Sequence, residues 1–297
     1  MTVFLQQLIN GLSLGAIYAL IALGYTMVYG ILRFINFAHS DVFMVGAFAG
    51  YCFSRIVPHA SIAGALLIML LSMAFCAVLG VIIERLAYRP LRGTSNLAIL
   101  ITAIGVSLLL ENLVLLIFNA TPKTFPSLMA DHTFTILGGV NIGSIDIVVF
   151  IVTAILLVAL QWIVLKTRIG AAMRAVSFNY QAASLVGINN DRIISFTFGL
   201  GSALAAAGGI LYASKYPSVD PYMGVLPGLK AFVAAVLGGI GNIPGAALGG
   251  LLLGMIEAFV NGSRFSTYTD AIAFAVLILI LLFRPAGLLG KFQVEKV

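Results

Sequence analysis

The chain has 297 residues, of which 61% are hydrophobic and only 9% are charged. Soluble domains carry about 25% charged residues, so this composition cannot build a water-soluble surface. The formal net charge of +6 does not indicate nucleic acid as a partner, because the basic residues cluster at the ends of hydrophobic segments, as in membrane proteins.

The hydrophobic segments give the architecture. A helix that crosses the hydrocarbon core needs about 20 apolar residues. In chain order, apolar segments cover 3–32, 42–54, 60–83, 93–119, 147–165, 193–214, 231–256 and 271–283. The N-terminus lacks the basic region and cleavage site of a secretory leader, so 3–32 is expected to stay as the first helix. We expect an all-α, multi-pass membrane protein of about eight to nine hydrophobic segments, folded as one transmembrane domain over residues 1–297.

Basic residues indicate which side faces the cytoplasm. They form three groups: Arg85, Arg89 and Arg92; Lys166, Arg168, Arg174 and Arg192; and Arg284, Lys291 and Lys296. The stretch 120–146 has Lys123 as its one Lys or Arg and is expected to face outward. This pattern places the C-terminus inside the cell, and counting the segments back places the N-terminus outside.

The segment 33–41 is an unusually polar stretch beside a membrane helix. Ionisable groups inside a membrane are costly and are candidate functional residues. Asn36, His39 and Asp41 are therefore predicted to line or gate a transport pathway. The alternative is a structural turn at the membrane interface, in which the same side chains are paired.

Catalytic and metal-binding patterns are scarce. His39, His59 and His132 are far apart and do not have metal-ligand spacing. No phosphate-binding Gly-rich loop with Lys and Ser or Thr is present. We therefore expect no enzymatic activity, no metal and no bound cofactor, and any ATP must be bound by another subunit. Glu111 and Glu257 lie in otherwise apolar helices, where they either line a polar cavity or bond to a partner inside the bundle.

The polar connection 166–192 lies on the predicted cytoplasmic side. Its middle contains neither Pro nor Gly and is rich in helix-favouring residues. Ala182, Leu185 and Val186 have the spacing of one helical face, and Gly187 is a helix stop. The pattern predicts a short amphipathic helix at the membrane surface, which either docks on a partner or lies there without one.

The segment 229–260 is predicted to be broken. Glycine loosens a helix and proline removes a hydrogen-bond donor. The residues of the break, which are candidates for a pathway lining or a hinge, are Gly238, Gly239, Gly241, Asn242, Pro244 and Gly245. Small residues recur every fourth position in two rows, Gly241–Gly245–Gly249 and Ala246–Gly250–Gly254–Ala258, and in Gly11–Gly15–Ala19 of the first helix. Such rows predict close helix packing.

Three segments, 36–41, 84–92 and 230–245, resemble one family: the permease subunits of branched-chain amino acid ABC importers, specifically the H-type member of the pair. The resemblance covers essentially the whole chain. It implies import of leucine, isoleucine and valine across a bacterial inner membrane. Its implied partners are a second homologous permease, two cytoplasmic ATPase subunits that use ATP, a periplasmic substrate-binding protein and membrane lipid.

The resemblance also gives the 166–192 connection a role as the ATPase-coupling loop. The family pattern is Glu-Ala-Ala followed at a distance by Gly; here Gln181 replaces the acidic residue and the spacing to Gly187 is compressed. The residues implied in coupling are Arg174, Asn179, Gln181, Ala182, Ala183, Leu185 and Gly187, with Ala182, Ala183 and Leu185 expected in a groove of the ATPase. Two alternatives stay open: a related importer for urea, short amides or other amino acids, and a channel that works alone.

Overall fold

The computed structural model describes residues 2–57, 61–129, 132–136 and 139–290. The predictions made at His59, Lys291 and Lys296 lie outside these residues. The helices are α1 (Thr2–Leu32), α2 (His39–Ser54), α3 (Ile62–Ile83), α4 (Asn96–Phe118), α5 (Ser144–Lys166), α6 (Arg168–Phe178), α7 (Tyr180–Leu185), α8 (Asn190–Lys215), α9 (Val225–Gly238), α10 (Ile243–Asn261) and α11 (Thr269–Phe283). A π-helical turn (Glu84–Tyr88) and a 3-10 turn (Arg89–Leu91) extend α3, and a second 3-10 turn (Ser266–Tyr268) precedes α11.

Four short strands form two antiparallel pairs outside the helices. They are β1 (Lys123–Thr124), β2 (Thr133–Ile136), β3 (Val140–Gly143) and β4 (Ser218–Val219). β1 pairs with β4, and β2 forms a hairpin with β3. The pairing of β1 with β4 holds the loop after α4 against the loop after α8.

The helix lengths confirm the predicted fold class. Seven helical segments of the described chain are long and apolar enough to cross a membrane. α2 and α9 are shorter, with 16 and 14 residues. At 1.5 Å per residue, 14 residues span about 21 Å, which is less than the roughly 30 Å of the hydrocarbon core. The protein is thus an all-α, multi-pass membrane protein.

Helices α1 and α8 form the centre of the bundle. α1 is buried over nearly all of its length between Gly11 and Val28 and packs against α5, α8, α9 and α10. α8 packs against α1, α2 and α3. Its small residues permit close contact, since a methyl group on Gly209 would lie 2.3 Å from the carbonyl oxygen of Phe43. The outer helices α3, α4, α5 and α11 expose rows of Leu, Ile and Val, as lipid-facing helices do.

Contacts between distant segments divide the bundle into two ends. At one end Gln6 bonds to the backbone of Asn141 in β3. At the other end Tyr88 bonds to Asn36, 2.6 Å away, and Gly30 approaches Gly241. Of the described basic residues, four lie at the first end: Arg55, Lys123, Lys215 and Arg264. Nine lie at the second end: Arg33, Arg85, Arg89, Arg92, Lys166, Arg168, Arg174, Arg192 and Arg284. Applied to these counts, the positive-inside rule predicts that the second is the cytoplasmic end and that the first, with the N-terminus, is the outer end.

Two local predictions were wrong. The 166–192 connection forms two helices, α6 and α7, because Asn179 is extended between them (φ −153°, ψ 109°). Gly241 does not belong to a packing row, because it lies in the break itself with a positive φ of 92°. The other members of the rows do pack: Gly245 and Gly249 face α9, while Gly250 and Gly254 face α1.

Candidate functional site

The connection between α5 and α8 lies at the cytoplasmic end and consists of α6 and α7, which together we call the bracket. The Asn179 side chain accepts a hydrogen bond from the Ala182 amide, 3.0 Å away, and so begins α7. Gly187, with a positive φ of 86°, ends it. The Asn190 amide group donates to the Tyr180 carbonyl at 2.8 Å, which ties α7 to the start of α8. Because Asn179 and Asn190 both hold the first turn of α7 and Gly187 ends the helix, the bracket has a defined shape without a partner.

The first helix of the bracket is fixed to the bundle as well. The Arg174 guanidinium donates to the carbonyl oxygen of Val164 in α5. The apolar face of α6, with Met173 and Val176, is buried against the body of the protein. A force on the bracket therefore reaches α5 through α6 and α8 through α7.

The side chains that the bracket presents to the cytoplasm differ from those predicted. Ala183 is only 3% exposed and faces the chain itself, because α7 turns that side toward the bundle. Its predicted place in an ATPase groove is therefore incompatible with this structure. Gln181 and Ala182 are exposed. The large exposed apolar side chains are Phe178 (88%), Leu185 (87%) and Val186 (77%), which we call the cytoplasmic apolar face.

A cavity of about 770 Å³ lies between the bracket and the bundle. Its walls include Arg33 at the end of α1, Tyr88 and Arg92 after α3, and Asn179 and Tyr180 of the bracket. The bracket thus spans an open space, which leaves room for it to move relative to the bundle.

Two of the polar residues at 36–41, Asn36 and Asp41, are hydrogen-bonded to other helical segments. Asn36 accepts from the Tyr88 hydroxyl, and Asp41 accepts from Ser107 of α4 at 2.5 Å. His39 is buried at the first residue of α2, and its ring lies edge-on to Tyr25, with centroids 4.7 Å apart. These contacts make the segment a paired turn that links α1 and α2 to the extension of α3 and to α4, and its predicted role in lining or gating a pathway stays a prediction.

The glycine break is a tight turn between α9 and α10. Gly239 has a positive φ of 105°, and a methyl group there would lie 2.5 Å from the amide of Gly290. The Leu288 and Leu289 amides donate to the carbonyls of Leu237 and Gly238 at 2.8 and 3.0 Å. The segment 284–290 therefore lies against the break, and any hinge motion there must carry this segment along.

Asn242 and Pro244 set the start of α10. The Asn242 side chain accepts from the Gly245 amide at 3.1 Å and donates to the Leu289 carbonyl at 2.7 Å. Pro244 occupies the first turn of α10, where a missing amide proton costs nothing. A methyl group on Gly245 would lie 2.4 Å from the Gly238 carbonyl oxygen, so the two helices touch directly beside the turn.

Sequence reasoning missed a buried charged cluster that joins four helices. The Lys230 ammonium of α9 lies 2.6 Å from Glu257 of α10 and 2.7 Å from Asp270 of α11. The Tyr18 hydroxyl of α1 donates to the other Glu257 oxygen at 2.8 Å. Glu257 has a partner inside the bundle, as one of its two predicted roles required. The sequence signal for its partner was Lys230, a lysine within the otherwise apolar helix α9.

A second missed cluster lies at the outer end. The Lys215 ammonium bonds to Asp146 at 2.6 Å and to the Ser13 hydroxyl at 2.7 Å. Ser13 also donates to Asp146 at 2.6 Å. These three residues join α1, α5 and α8. Within the described ranges, no group of three or more His, Cys, Asp or Glu side chains is arranged to hold a metal ion.

Comparison with known proteins gives a consistent result. The family described as branched-chain amino acid transport system / permease component matches residues 7–281. The high-affinity branched-chain amino acid transport system permease protein BraD of Pseudomonas aeruginosa is 44% identical, with 99% of this chain and 98% of that protein covered. The corresponding permease protein LivH of Escherichia coli K12 is 43% identical over the same shares. A probable branched-chain amino acid transport permease protein LivH of Methanocaldococcus jannaschii is 28% identical over 91% of this chain and 88% of that one.

Proposed function

The chain belongs to the family of branched-chain amino acid transport system permease components, and from this membership we propose how it works in an importer. It is the transmembrane permease subunit of an ATP-binding-cassette importer that moves leucine, isoleucine and valine into the cytoplasm. The observation that carries the proposal is the full-length relationship to two high-affinity permeases of that transport system. The multi-pass helical bundle supports it.

The importer needs further subunits. A second homologous permease completes the pore, and two ATPase subunits bind and hydrolyse ATP at the cytoplasmic end. A periplasmic binding protein delivers the amino acid to the outer end, which places the assembly in a bacterial inner membrane. The sequence supports this division of labour, because it contains no phosphate-binding loop of its own.

The bracket of α6 and α7 is the element through which the ATPases act. Phe178, Leu185 and Val186 are large apolar side chains that water surrounds in the isolated chain. Inserting them into a groove of the ATPase removes that surface from water, as in other helix-in-groove contacts. Movement of the ATPase then reaches α5 and α8 through Arg174 and Asn190. Since α8 packs on α1, α2 and α3, tilting it changes the centre of the bundle.

The paired turn at 36–41 and the break at 239–242 are the gate and hinge of this movement. Asn36 and Asp41 bond to residues of the α3 extension and α4, so moving the α1–α2 connection has to break or carry these bonds. Gly239 and Gly241 have backbone angles that other residues rarely adopt. The break and Asn36 lie near the cytoplasmic end, where the bracket acts, and Asp41 lies deeper, beside Ser107 in the middle of α4.

Uptake by cells that lack this chain tests the substrate. A deletion strain that expresses the chain from a plasmid should recover uptake of radiolabelled leucine, and unlabelled isoleucine and valine should compete for it. Urea and a short amide are the matched competitors for the alternative importers. Failure to restore leucine uptake, or competition by urea or the amide but not by valine, would overturn the proposed substrate.

A further inference from the structure

A second pocket at the cytoplasmic end is lined mostly by charged side chains, unlike the apolar face of the bracket. It has a volume of about 270 Å³ and lies between the extension of α3 and the start of α8. Its walls are Arg85, Arg89, Asn189, Asp191, Arg192 and Ser195. The residues of the cytoplasmic apolar face are not part of these walls.

The cluster around this pocket has more positive than negative charge. Asp191 is shared by Arg89 and Arg92, and Glu84 is held by Arg92 and by the Ser195 hydroxyl. With Arg85 and Arg192, four guanidinium groups face two carboxylates, which leaves a net charge of about +2. Within the described part of the chain, Arg85 and Arg192 form no ion pair, and both are exposed.

The start of α8 adds to the positive electrostatic potential of this pocket. Asn189 begins α8, its side chain accepts from the Arg192 amide at 3.1 Å, and helix amides at such an end attract anions. Guanidinium groups can bind phosphate through two parallel hydrogen bonds. The pocket therefore combines excess positive charge, donors of suitable geometry and a helix start.

The position of the pocket distinguishes a lipid from a soluble anion. Ile82 and Leu86, on either side of Arg85 in the chain, are 46% and 75% exposed. Phe196, next to the wall residue Ser195, is 37% exposed. These side chains are part of the exposed apolar surface, which in a multi-pass membrane protein is expected to face lipid. A ligand that carries both a phosphate group and acyl chains matches the basic pocket with the one and the neighbouring apolar surface with the other.

We propose that the pocket formed by Arg85, Arg89 and Arg192 binds the phosphate headgroup of an anionic phospholipid of the cytoplasmic leaflet. Basic pockets between membrane helices on this side of the bilayer are suited to such headgroups. The bound lipid neutralises charge that the carboxylates leave uncompensated. It also links the end of α3 to the start of α8, beside the bracket.

Native mass spectrometry of the full chain in mild detergent tests the proposal. The chain is incubated with phosphatidylglycerol or phosphatidylcholine, and the retained lipid is counted. Each basic residue near an anionic membrane surface contributes about 1 kcal/mol, so the double change Arg85→Gln/Arg192→Gln should weaken phosphatidylglycerol retention roughly 30-fold. Phosphatidylcholine retention should not change. The variant Arg85→Lys/Arg192→Lys keeps both charges and should retain more of the anionic lipid than the glutamine variant does.

A matched control removes two charges elsewhere at the same end. Lys166→Gln/Arg168→Gln lies outside the pocket and should keep wild-type retention of phosphatidylglycerol. Equal loss in this control would show general charge attraction and overturn the site. If excess inorganic phosphate displaced the lipid, and phosphate bound to the wild type but not to the glutamine variant, the pocket would be a site for a soluble anion instead. Unchanged lipid retention together with loss of co-purifying ATPase in the glutamine variant would assign the pocket to the ATPase.

Discussion

Lys230 and Glu257 show how single residues hold the bundle together. Both side chains are buried, and each would be costly in the membrane without its partner. The pair lies across the α9–α10 break and is joined to α1 by Tyr18. Removing Lys230 alone leaves Glu257 as an uncompensated buried charge, whereas removing both leaves an apolar contact in which the half-exposed Asp270 and the Tyr18 hydroxyl lose these partners.

We therefore expect Lys230→Met to destabilise the protein by about 3–5 kcal/mol, and Lys230→Met/Glu257→Leu to recover much of that loss. Thermal unfolding of the purified chain in detergent measures both. Glu111→Gln is the control, because Glu111 is half-buried and forms no ion pair with a described residue. Additive losses in the double variant would mean that the two side chains do not act as a pair.

Part of this cluster could be found from the sequence. Glu257 stands out as a carboxylate in an apolar helix, and so does Lys230 as a cation. Their pairing could not be found, because it depends on α9 and α10 folding back on each other at the break. The same limit applies to Asp146 and Lys215, which are 69 residues apart and meet only in the folded bundle.

The two helices of the bracket are separated by a single residue, Asn179. The sequence predicted a helix ending at Gly187, but one straight amphipathic helix would have exposed a different face. Asn179 prevents it, since its side chain bonds to the Ala182 amide and starts a new helix. An asparagine can lie within a helix or can end one helix and cap the next, and the sequence alone does not show which of the two Asn179 does.

Leu185→Glu tests the cytoplasmic apolar face. Leu185 is 87% exposed, so the variant should fold with unchanged thermal stability. In a groove of the ATPase the new charge would lose its water without gaining a partner, at a cost of a few kcal/mol. The variant should therefore lose the co-purifying ATPase or its coupling to transport.

Two further variants sharpen this test. Ala183→Glu should instead destabilise the chain itself, since Ala183 is buried. Phe134→Glu makes the same apolar-to-acid change on the outer hairpin, where the ATPase has no access, and should keep the ATPase bound. Normal coupling in Leu185→Glu would move the docking face to another part of the bracket.

The contact between α1 and α10 depends on glycine at four-residue spacing. A methyl group on Gly254 would lie 2.2 Å from the Gly15 amide nitrogen, and one on Gly250 would lie 2.5 Å from that of Ala19. The partner atoms are backbone, which cannot move aside as a flexible side chain can. The sequence predicted these rows as packing faces but could not show that they face each other.

Gly254→Ala should destabilise the protein by about 1–3 kcal/mol, because the added methyl overpacks the helix contact. Gly105→Ala in α4 is the matched control, since nothing lies within 4 Å of the methyl group that it adds. That change should be neutral or stabilising by up to about 1 kcal/mol. Thermal unfolding compares the two, and equal melting temperatures would show that α1 and α10 are not in close contact.

The distribution of the sites between the two ends of the bundle links the fold to the proposed function. The bracket, the break and the lipid pocket lie at the cytoplasmic end, and the paired turn at 36–41 runs from that end to the middle of the bundle. The strand pairs and the Lys215 cluster lie at the outer end. Composition and hydrophobic segments predicted the fold class, because membrane solvation imposes helices of a certain length. They could not predict that α1 and α8 are central, since every segment is apolar.

Labelling with a membrane-impermeant maleimide tests the sidedness. In a Cys52→Ala/Cys76→Ala background, Thr135→Cys in β2 should react in intact cells. Gln181→Cys in α7 should react only after the membrane is opened. Both positions are exposed, so the barrier to labelling is the membrane alone. The reverse pattern would place the bracket outside and remove its access to an ATPase.

The most direct test of the central claim is uptake of radiolabelled leucine by proteoliposomes that contain this chain, its permease partner and the two ATPase subunits. With ATP at the ATPase side and binding protein at the other, we predict that leucine accumulates against its gradient, and that no accumulation occurs when this chain or ATP is omitted. Accumulation without the chain, or leucine movement by the chain alone without ATP, would contradict its assignment as a permease subunit of an ATP-driven importer.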